Sequence, residues 1–163
     1  MSKNRELKEV KVEEIHEKLA KAKSAVVVDY RGLTVAEVTD LRNKFRASNV
    51  DYHVYKNRLV KLATKDTGYE SLNDHLVGPN AIALSYDEPT APAKIAKEFA
   101  KKNTKLELRG GVIDGQYYDA TGILAVADIP SREILLGRFL GSIQSPISKF
   151  ARTLQAIADA KQE

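Results

Sequence analysis

The sequence predicts a two-layer α/β sandwich, with a mixed and plait-like sheet, followed by a long, kinked C-terminal α-helix. Through the first 130 residues, short β-branched or alternating runs are separated by amphipathic helical patterns. The dipeptide Asp114-Gly115 joins two of those runs as a tight hairpin. Apolar residues then recur at alternating intervals of four and three towards the end of the chain, which is the spacing of a helix that packs against another helix.

The chain is expected to form two parts, an α/β domain of residues 1–130 and a helical segment of residues 131–163. Pro130 stops a regular element and Ser131 can cap the helix that follows, so residues 128–131 are the expected hinge. A helix over most of the second part would be about 45 Å long, which exceeds the width of a domain of this size. Part of this helix is therefore expected to reach beyond the core of the first domain.

The first elements follow from hydrophobic spacing and capping signals. Apolar residues among many charges predict a surface helix over residues 4–23. Residues 24–30 form a continuous β-branched run, which predicts a central strand buried on both faces. Thr34 and Glu37 form a capping box for a helix that ends near residue 48.

The same alternation of strands and helices continues to the proposed hinge. Gly78-Pro79 breaks the pattern once, and Pro92 is compatible with the first turn of a helix. The remaining predicted elements are strands at 51–55, 80–86, 105–113 and 116–118, a helix from Asn57 that ends by Gly68, a helix from Thr90 to about residue 102, and a short helix at 120–127.

Composition argues against several classes of protein. Without cysteine the chain has no disulfide, thiolate nucleophile or sulfur-ligated metal. The first 23 residues are charged instead of carrying a signal core, and no apolar run approaches membrane-spanning length, so we expect a protein that is neither exported nor membrane-bound. The three histidines are scattered and no catalytic or nucleotide-binding motif occurs. We therefore expect no cofactor, no metal and no enzymatic activity.

Charge is distributed unevenly along the chain. Residues 1–66 hold 15 Lys and Arg against 10 Asp and Glu, whereas residues 67–130 hold 6 against 9. The segment from residue 131 holds 5 against 3. A basic N-terminal half beside an acidic middle indicates a face that binds a polyanion, because Lys and Arg neutralise phosphates and release counterions.

Within this basic half, charges collect at turns and helix starts. Backbone N–H groups at a helix start can hold a phosphate, and Asn and Tyr can add hydrogen bonds or stacking to RNA. Local capping or ion pairing is the alternative role for charged side chains at these turns and helix starts. For Arg42, Lys44 and Arg46, a solvent-exposed helix face is as good an interpretation as RNA contact. Arg109-Gly110-Gly111 is interpreted as a bulge before the hairpin and not as an RNA-binding tripeptide. The candidate RNA-binding residues are Arg31, Gly32, Lys56, Asn57, Arg58 and Lys61.

The C-terminal segment carries an apolar stripe, which we call the seam. Its flanks are mostly small or polar, so a second helix could approach closely, and few flanking charges are present to fix the register of a self-paired coiled coil. A different protein is the favoured cover, although a helix folded back on its own domain remains an alternative. Pro146 is expected to kink or divide the helix. The seam residues are Leu136, Leu140, Ile143, Ile147, Phe150, Leu154 and Ile157.

Four motifs in one order give the chain a recognisable likeness. It closely resembles the bacterial stalk-base proteins of the large ribosomal subunit, the uL10 family, over essentially its whole length. The motifs are Asp29-Tyr30-Arg31-Gly32-Leu33-Thr34-Val35, Tyr55-Lys56-Asn57-Arg58-Leu59, Val77-Gly78-Pro79-Asn80 and Phe150-Ala151-Arg152-Thr153-Leu154.

This resemblance implies a non-catalytic scaffold of the cytoplasmic ribosome. Its N-terminal domain would bind large-subunit ribosomal RNA near the GTPase-associated centre, beside a second RNA-binding ribosomal protein. Its C-terminal helix would bind two or three dimers of the acidic stalk protein, which recruits translational GTPases. The seam from Ile143 to Ile157 would supply the anchors, with Lys149 and Arg152 at the rim.

Two further possibilities accompany the resemblance. Autogenous repression, through a leader in the protein's own messenger RNA, is known in the family. A stand-alone RNA-binding regulator whose C-terminal helix self-associates is the alternative function, and it predicts a homo-oligomer of the purified protein.

Overall fold

The computed structural model describes residues 3–65 and 67–160 of the chain, which divides into two compact units, Met1–Ile129 and Pro130–Glu163. The elements of the first unit are α1 (Lys3–Lys21), β1 (Ser24–Asp29), α2 (Val35–Ala47), β2 (Val50–His53), α3 (Asn57–Ala63), a 3₁₀ helix (Glu70–Asp74), β3 (Asn80–Ser85), α4 (Ala91–Lys102), β4 (Glu107–Ile113), β5 (Gln116–Asp119) and α5 (Ala120–Val126).

The five strands form one sheet in the order β2-β3-β1-β4-β5, and each neighbouring pair is antiparallel. The β-branched strand β1 lies at the centre and all six of its residues are buried, as its sequence predicts. From β1 to β4 the connections follow the split β-α-β pattern of plait-like folds, in which two helical crossovers insert β1 between β3 and β4. The expected α/β sandwich is confirmed, with antiparallel pairing throughout the sheet where a mixed sheet was expected.

Helices cover both faces of the sheet, which adds a layer to the two that were expected. On one face, Val26 and Val28 pack with residues of α2, α4 and α5. On the other, Ala25 and Val27 pack with Ile15 and other residues of α1 and α3. Side chains alternate between faces along a strand, so a strand that is apolar at every position requires a cover on both sides.

One irregularity shapes the functional end of the sheet. Between β1 and β4 the register shifts, with Val27 opposite Gly110 and Val28 opposite Leu108, so Arg109 is the extra residue of a β-bulge. The bulge expected before the hairpin is thus confirmed. The hairpin turn itself has positive φ at both central residues, Asp114 at 49° and Gly115 at 80°, as the dipeptide predicts.

Most strand and helix boundaries lie within two residues of the predicted ones. The capping box of Thr34 and Glu37 is present, with the Thr34 N–H donating to Glu37 Oε2 at 2.6 Å. Thr90 occupies the N-cap of α4, but its side chain makes no capping bond. The strand predicted at 51–55 is shorter and begins one residue earlier, and the 3₁₀ helix at Glu70–Asp74 was not predicted.

The second unit consists of one helix, α6 (Arg132–Ala160), with 29 residues. A helix of this length spans about 43 Å. It continues through Pro146, so the proline does not divide it, which was one of the two outcomes expected there. The main-chain carbonyl of Ser131 accepts the N–H of Leu135 at 3.0 Å, as the residue before a helix should.

Candidate nucleic-acid interface and docking helix

Antiparallel pairing brings four chain segments to one end of the sheet. Asp29, the last residue of β1, is paired with Asn80 at the start of β3 and with Glu107 at the start of β4. The β2 strand also ends here, because its last residue, His53, pairs with Ile82. Three of the four sequence motifs therefore meet at this end, although they are separated along the chain.

A cleft of about 640 Å³ opens where these segments meet, and we call it the end cleft. Residues 54–59, which follow β2, and residues 78–80, which lead into β3, line the cleft. Lys8, Tyr30 and Leu62 complete the lining. The cleft thus combines cationic side chains with tyrosine rings, which suits RNA phosphates and bases.

Asp29 organises the cations beside the cleft. Its side chain is 5% exposed and accepts from Nη2 of Arg31 at 3.1 Å and from Nη2 of Arg109 at 2.9 Å. The Arg31 backbone N–H also donates to Asp29 Oδ1 at 3.0 Å. One buried carboxylate therefore holds two guanidinium groups. Glu107 Oε2 also lies 3.7 Å from Nη2 of Arg109, so this second carboxylate offsets part of the positive charge.

The protonation state of Asp29 follows from these bonds. Burial by itself would raise the pKa of the carboxyl group. The hydrogen bonds donated by Arg31 and Arg109 outweigh burial and lower the pKa below its ordinary value. Asp29 is consequently ionised at neutral pH and holds both arginines in fixed positions.

Gly78 connects the first motif to the second. Asn57 Nδ2 donates to the Gly78 carbonyl at 2.8 Å, and a Cβ added at Gly78 would lie 3.2 Å from Nη2 of Arg31. Gly78 also has φ of +86°, a conformation that favours glycine. Its lack of a side chain lets Arg31 lie against the loop that Asn57 holds.

The remaining candidates differ in their surroundings. Lys56, Arg58 and Lys61 are exposed, and Lys56 and Arg58 line the end cleft whereas Lys61 lies further along α3. Gly32, at φ +80°, faces the side chain of Lys105. Because α3 has only seven residues and no side-chain cap, side-chain charge and not a helix terminus is the main source of positive potential here.

Sequence reasoning missed Lys8 and Arg109 as neighbours of this site. Arg109 was assigned to a bulge, and the same bulge directs its guanidinium to Asp29. A signal was present in the sequence, since an aspartate ending a buried β-branched strand needs cationic or hydrogen-bonding partners. Lys8 has no such signal, because only tertiary packing brings α1 beside the motifs.

The seam of α6 is open along its whole length. All seven seam side chains are between 51% and 69% exposed, with Ile147 and Phe150 at the upper end. Leu135 and Phe139 are also exposed and widen the apolar face in the first half of the helix. The flanks of the seam are therefore mostly small or polar only in the second half of the helix.

The charged residues expected at the rim of the seam lie elsewhere on α6. Arg152 is two residues from both Phe150 and Leu154, and two residues correspond to about 200° of helical rotation. It therefore projects from the side opposite the seam, and Lys149 lies close to that same side. Their assignment to the stalk interface stays a prediction.

Among residues 3–65 and 67–160, no three His, Asp or Glu side chains come together as a possible metal site. None of the helices in the described part of the chain is long and apolar enough to cross a membrane.

Comparison with known families shows the class to which this architecture belongs. A family model described as "Ribosomal protein L10" matches residues 3–101, and a second, "Ribosomal protein uL10 C-terminal region", matches residues 129–163. The class is that of structural proteins of the large ribosomal subunit.

Individual relatives identify the family within that class. Proteins named "Large ribosomal subunit protein uL10" match from Clostridium tetani, with 50% identity over 99% of this chain and 94% of the relative, and from Clostridioides difficile, with 52% identity over 97% and 95%. The protein of that name from Alkaliphilus metalliredigens is 49% identical over 100% of this chain and 98% of its own. The chain belongs to the uL10 family.

Membership confirms several expectations from the sequence. The protein is a structural component of the large ribosomal subunit and not an enzyme, because its relatives are named as ribosomal proteins. It takes part in translation and is cytoplasmic, as bacterial ribosomes are.

Proposed function

We propose that this protein joins large-subunit ribosomal RNA to the acidic stalk of the ribosome through two separate surfaces. The N-terminal unit binds RNA near the GTPase-associated centre, beside a second RNA-binding ribosomal protein. The seam of α6 binds dimers of the acidic stalk protein, which recruits translational GTPases. The convergence of three sequence motifs on the end cleft is the observation that carries the RNA assignment.

Charge and geometry at the end cleft support RNA as the ligand. Lys56 and Arg58 are exposed lining residues that can contact phosphates. Arg31 is 61% exposed even though Asp29 holds it, so part of its guanidinium faces outward with its position already fixed. The Tyr30 side chain provides a surface for base or ribose contact.

The chemistry of α6 supports a helical protein partner. Seven exposed apolar side chains at heptad spacing form a stripe that another amphipathic helix can cover. The described part of α6 has about eight turns, enough for two or three helical partners in series. Lys149 and Arg152 lie away from the stripe, so we assign them at most a steering role towards an acidic partner.

Charge reversal at Arg58 tests the RNA surface. Arg58→Glu should weaken binding to large-subunit ribosomal RNA and lower the dependence of affinity on salt, while binding of the stalk protein stays intact. Lys102→Glu reverses an exposed charge at the end of α4, outside the end cleft, and is the matched control. Equal loss of RNA and stalk binding by Arg58→Glu would argue against two separate surfaces.

Native mass spectrometry tests the docking helix. The full chain and a version that ends at Pro130 are each mixed with the acidic stalk protein from the same source. If the proposal is right, only the full chain captures whole dimers, and the mass gives their number. If neither form binds the stalk protein and the full chain associates with itself, the alternative function, a stand-alone RNA-binding regulator, is favoured.

Autogenous repression belongs to the same proposal, because a messenger RNA leader would occupy the RNA surface already described. A competition experiment with leader RNA and ribosomal RNA tests whether both bind the same surface of the full-length protein. Simultaneous binding of both RNAs would contradict a shared surface.

A further inference from the structure

A second basic depression lies along the free edge of the sheet, next to the end cleft. The β2 strand is an edge strand, and α2 packs over it through Phe45 and Tyr52, whose rings stack with centroids 5.2 Å apart. Arg42 and Arg46 are one helical turn apart on α2 and line a groove of about 550 Å³ along that edge. We call it the edge groove.

The two arginines supply net positive charge to the edge groove. Both are exposed, and neither makes an ion pair with a carboxylate among residues 3–65 and 67–160. Asp51 also lines the groove, but it precedes Tyr52 on the strand and therefore points to the opposite face. Its carboxylate accepts the hydroxyl of Tyr86 at 3.1 Å. The cations on the α2 side are thus free to bind an external anion.

The edge groove is continuous with the end cleft, because Val54 lines both. From this continuity we infer that the edge groove binds the sugar–phosphate backbone of the same RNA that occupies the end cleft, with Arg42 and Arg46 contacting phosphates. The inference rests on the proposed RNA-binding function and extends its surface along β2. An acidic peptide that pairs with the edge of β2 would fit this groove less well than RNA, because β2 offers only four residues for main-chain pairing.

Paired charge removal tests the edge groove. The full-length Arg42→Gln/Arg46→Gln variant is compared with Lys65→Gln/Lys102→Gln, which removes two exposed charges outside both depressions. Binding to large-subunit ribosomal RNA is measured as a function of salt, and circular dichroism verifies folding. We expect the groove variant to reduce the slope of log affinity against log salt by about two and to lower affinity about tenfold, and the control to change affinity less than threefold.

A third variant separates this inference from the proposed function. Lys56→Gln/Arg58→Gln removes two charges from the end cleft. If it weakens RNA binding while the groove variant behaves like the control, the inference is overturned and the proposed function stands. If the wild-type chain does not bind the RNA at all, both are overturned.

Hydrogen exchange on the wild-type protein gives a result that does not depend on any variant. Bound RNA should slow exchange of backbone amides in Val50–His53. Unchanged exchange in the RNA complex would overturn the inference. Protection of the same amides by a neighbouring ribosomal protein, but not by RNA, would reassign the groove to a protein partner.

Discussion

The two units of this protein handle apolar surface in opposite ways. The first encloses most of its apolar side chains in two clusters on either side of the sheet and leaves lysines and arginines at its surface. The second leaves seven apolar seam side chains more than half exposed on a single helix. A surface of cations binds through charge, whereas an open apolar seam binds through burial. One chain can therefore hold two partners by different forces.

The largest expected effect on binding concerns the seam. Phe150→Asp places a charge in the middle of the apolar stripe, and we expect it to weaken stalk-protein binding at least about 30-fold, or about 2 kcal/mol. Isothermal titration calorimetry measures this loss. Ser145→Asp, two residues from both Ile143 and Ile147 and hence on the far side of α6, is the matched control. Unchanged binding by Phe150→Asp would show that the seam is not the docking surface.

A glycine in the first unit tests whether the units are independent. A Cβ at Gly111 would lie 2.8 Å from the Ala25 carbonyl oxygen and 2.9 Å from Cδ1 of Ile123. Gly111→Ala should lower the free energy of unfolding of the first unit by about 2–3 kcal/mol, because the core has no room to adjust. Thermal melting measures this change, while stalk binding by α6 should persist.

Gly68→Ala is the control for that substitution, since nothing lies within 4 Å of the added Cβ. It should change stability by less than about 1 kcal/mol. Loss of stalk binding in the Gly111→Ala variant would mean that α6 depends on the fold of the first unit.

The buried carboxylate at the end of β1 gives a pH-dependent prediction. Asp29 has a lowered pKa in the folded protein, so its stabilising effect is present above the unfolded value near pH 4 and is lost as pH falls through the folded pKa. Asp29→Asn should cost about 1–2 kcal/mol at neutral pH and remove this part of the acid sensitivity. Denaturant titrations between pH 2 and 7 give the free energy of unfolding of both proteins. If this free energy depends on pH in the same way for both, the account is contradicted.

Asp29→Asn also tests whether RNA binding depends on the positions of the arginines. Without the carboxylate, Arg31 and Arg109 lose their common anchor, so RNA affinity should fall even though no positive charge is removed. Asp87→Asn, an exposed aspartate after β3, is the control. Equal or tighter RNA binding by Asp29→Asn would show that positioning of the arginines is unimportant.

The smallest expected effect concerns the helical order of α6. Gly141 has open space around its Cα position and lies off the seam, two residues before Ile143. Gly141→Ala should favour the helix by about 0.5–1 kcal/mol and raise the helical signal in circular dichroism. An unchanged signal would indicate that α6 is already fully helical before a partner covers its seam.

Local signals predicted most of the fold. The continuous run of β1, the capping box at Thr34 and the turn at Asp114-Gly115 each depend on a few neighbouring residues, and all three are confirmed. The sequence predicted two layers, although burial of β1 on both faces already implied helices on both. Strand order sets the layers, and it depends on contacts between distant residues.

The candidate site was predictable only in part. Arg31, Lys56 and Arg58 were found because their motifs place charge beside turns and strand ends. Arg109 and Lys8 were missed because a bulge and the packing of α1 bring them to the site. Arg152 was placed at the rim of the seam, although its spacing of two residues from both Phe150 and Leu154 already indicates the opposite side of the helix.

One measurement tests the central claim of two surfaces and two forces. Affinities of the full-length protein for large-subunit ribosomal RNA and for the acidic stalk protein are measured over the same series of salt concentrations. The account predicts a steep fall of RNA affinity with salt, about 0.9 in slope for each phosphate contact, and little change in stalk affinity. Equal slopes for the two partners would contradict it.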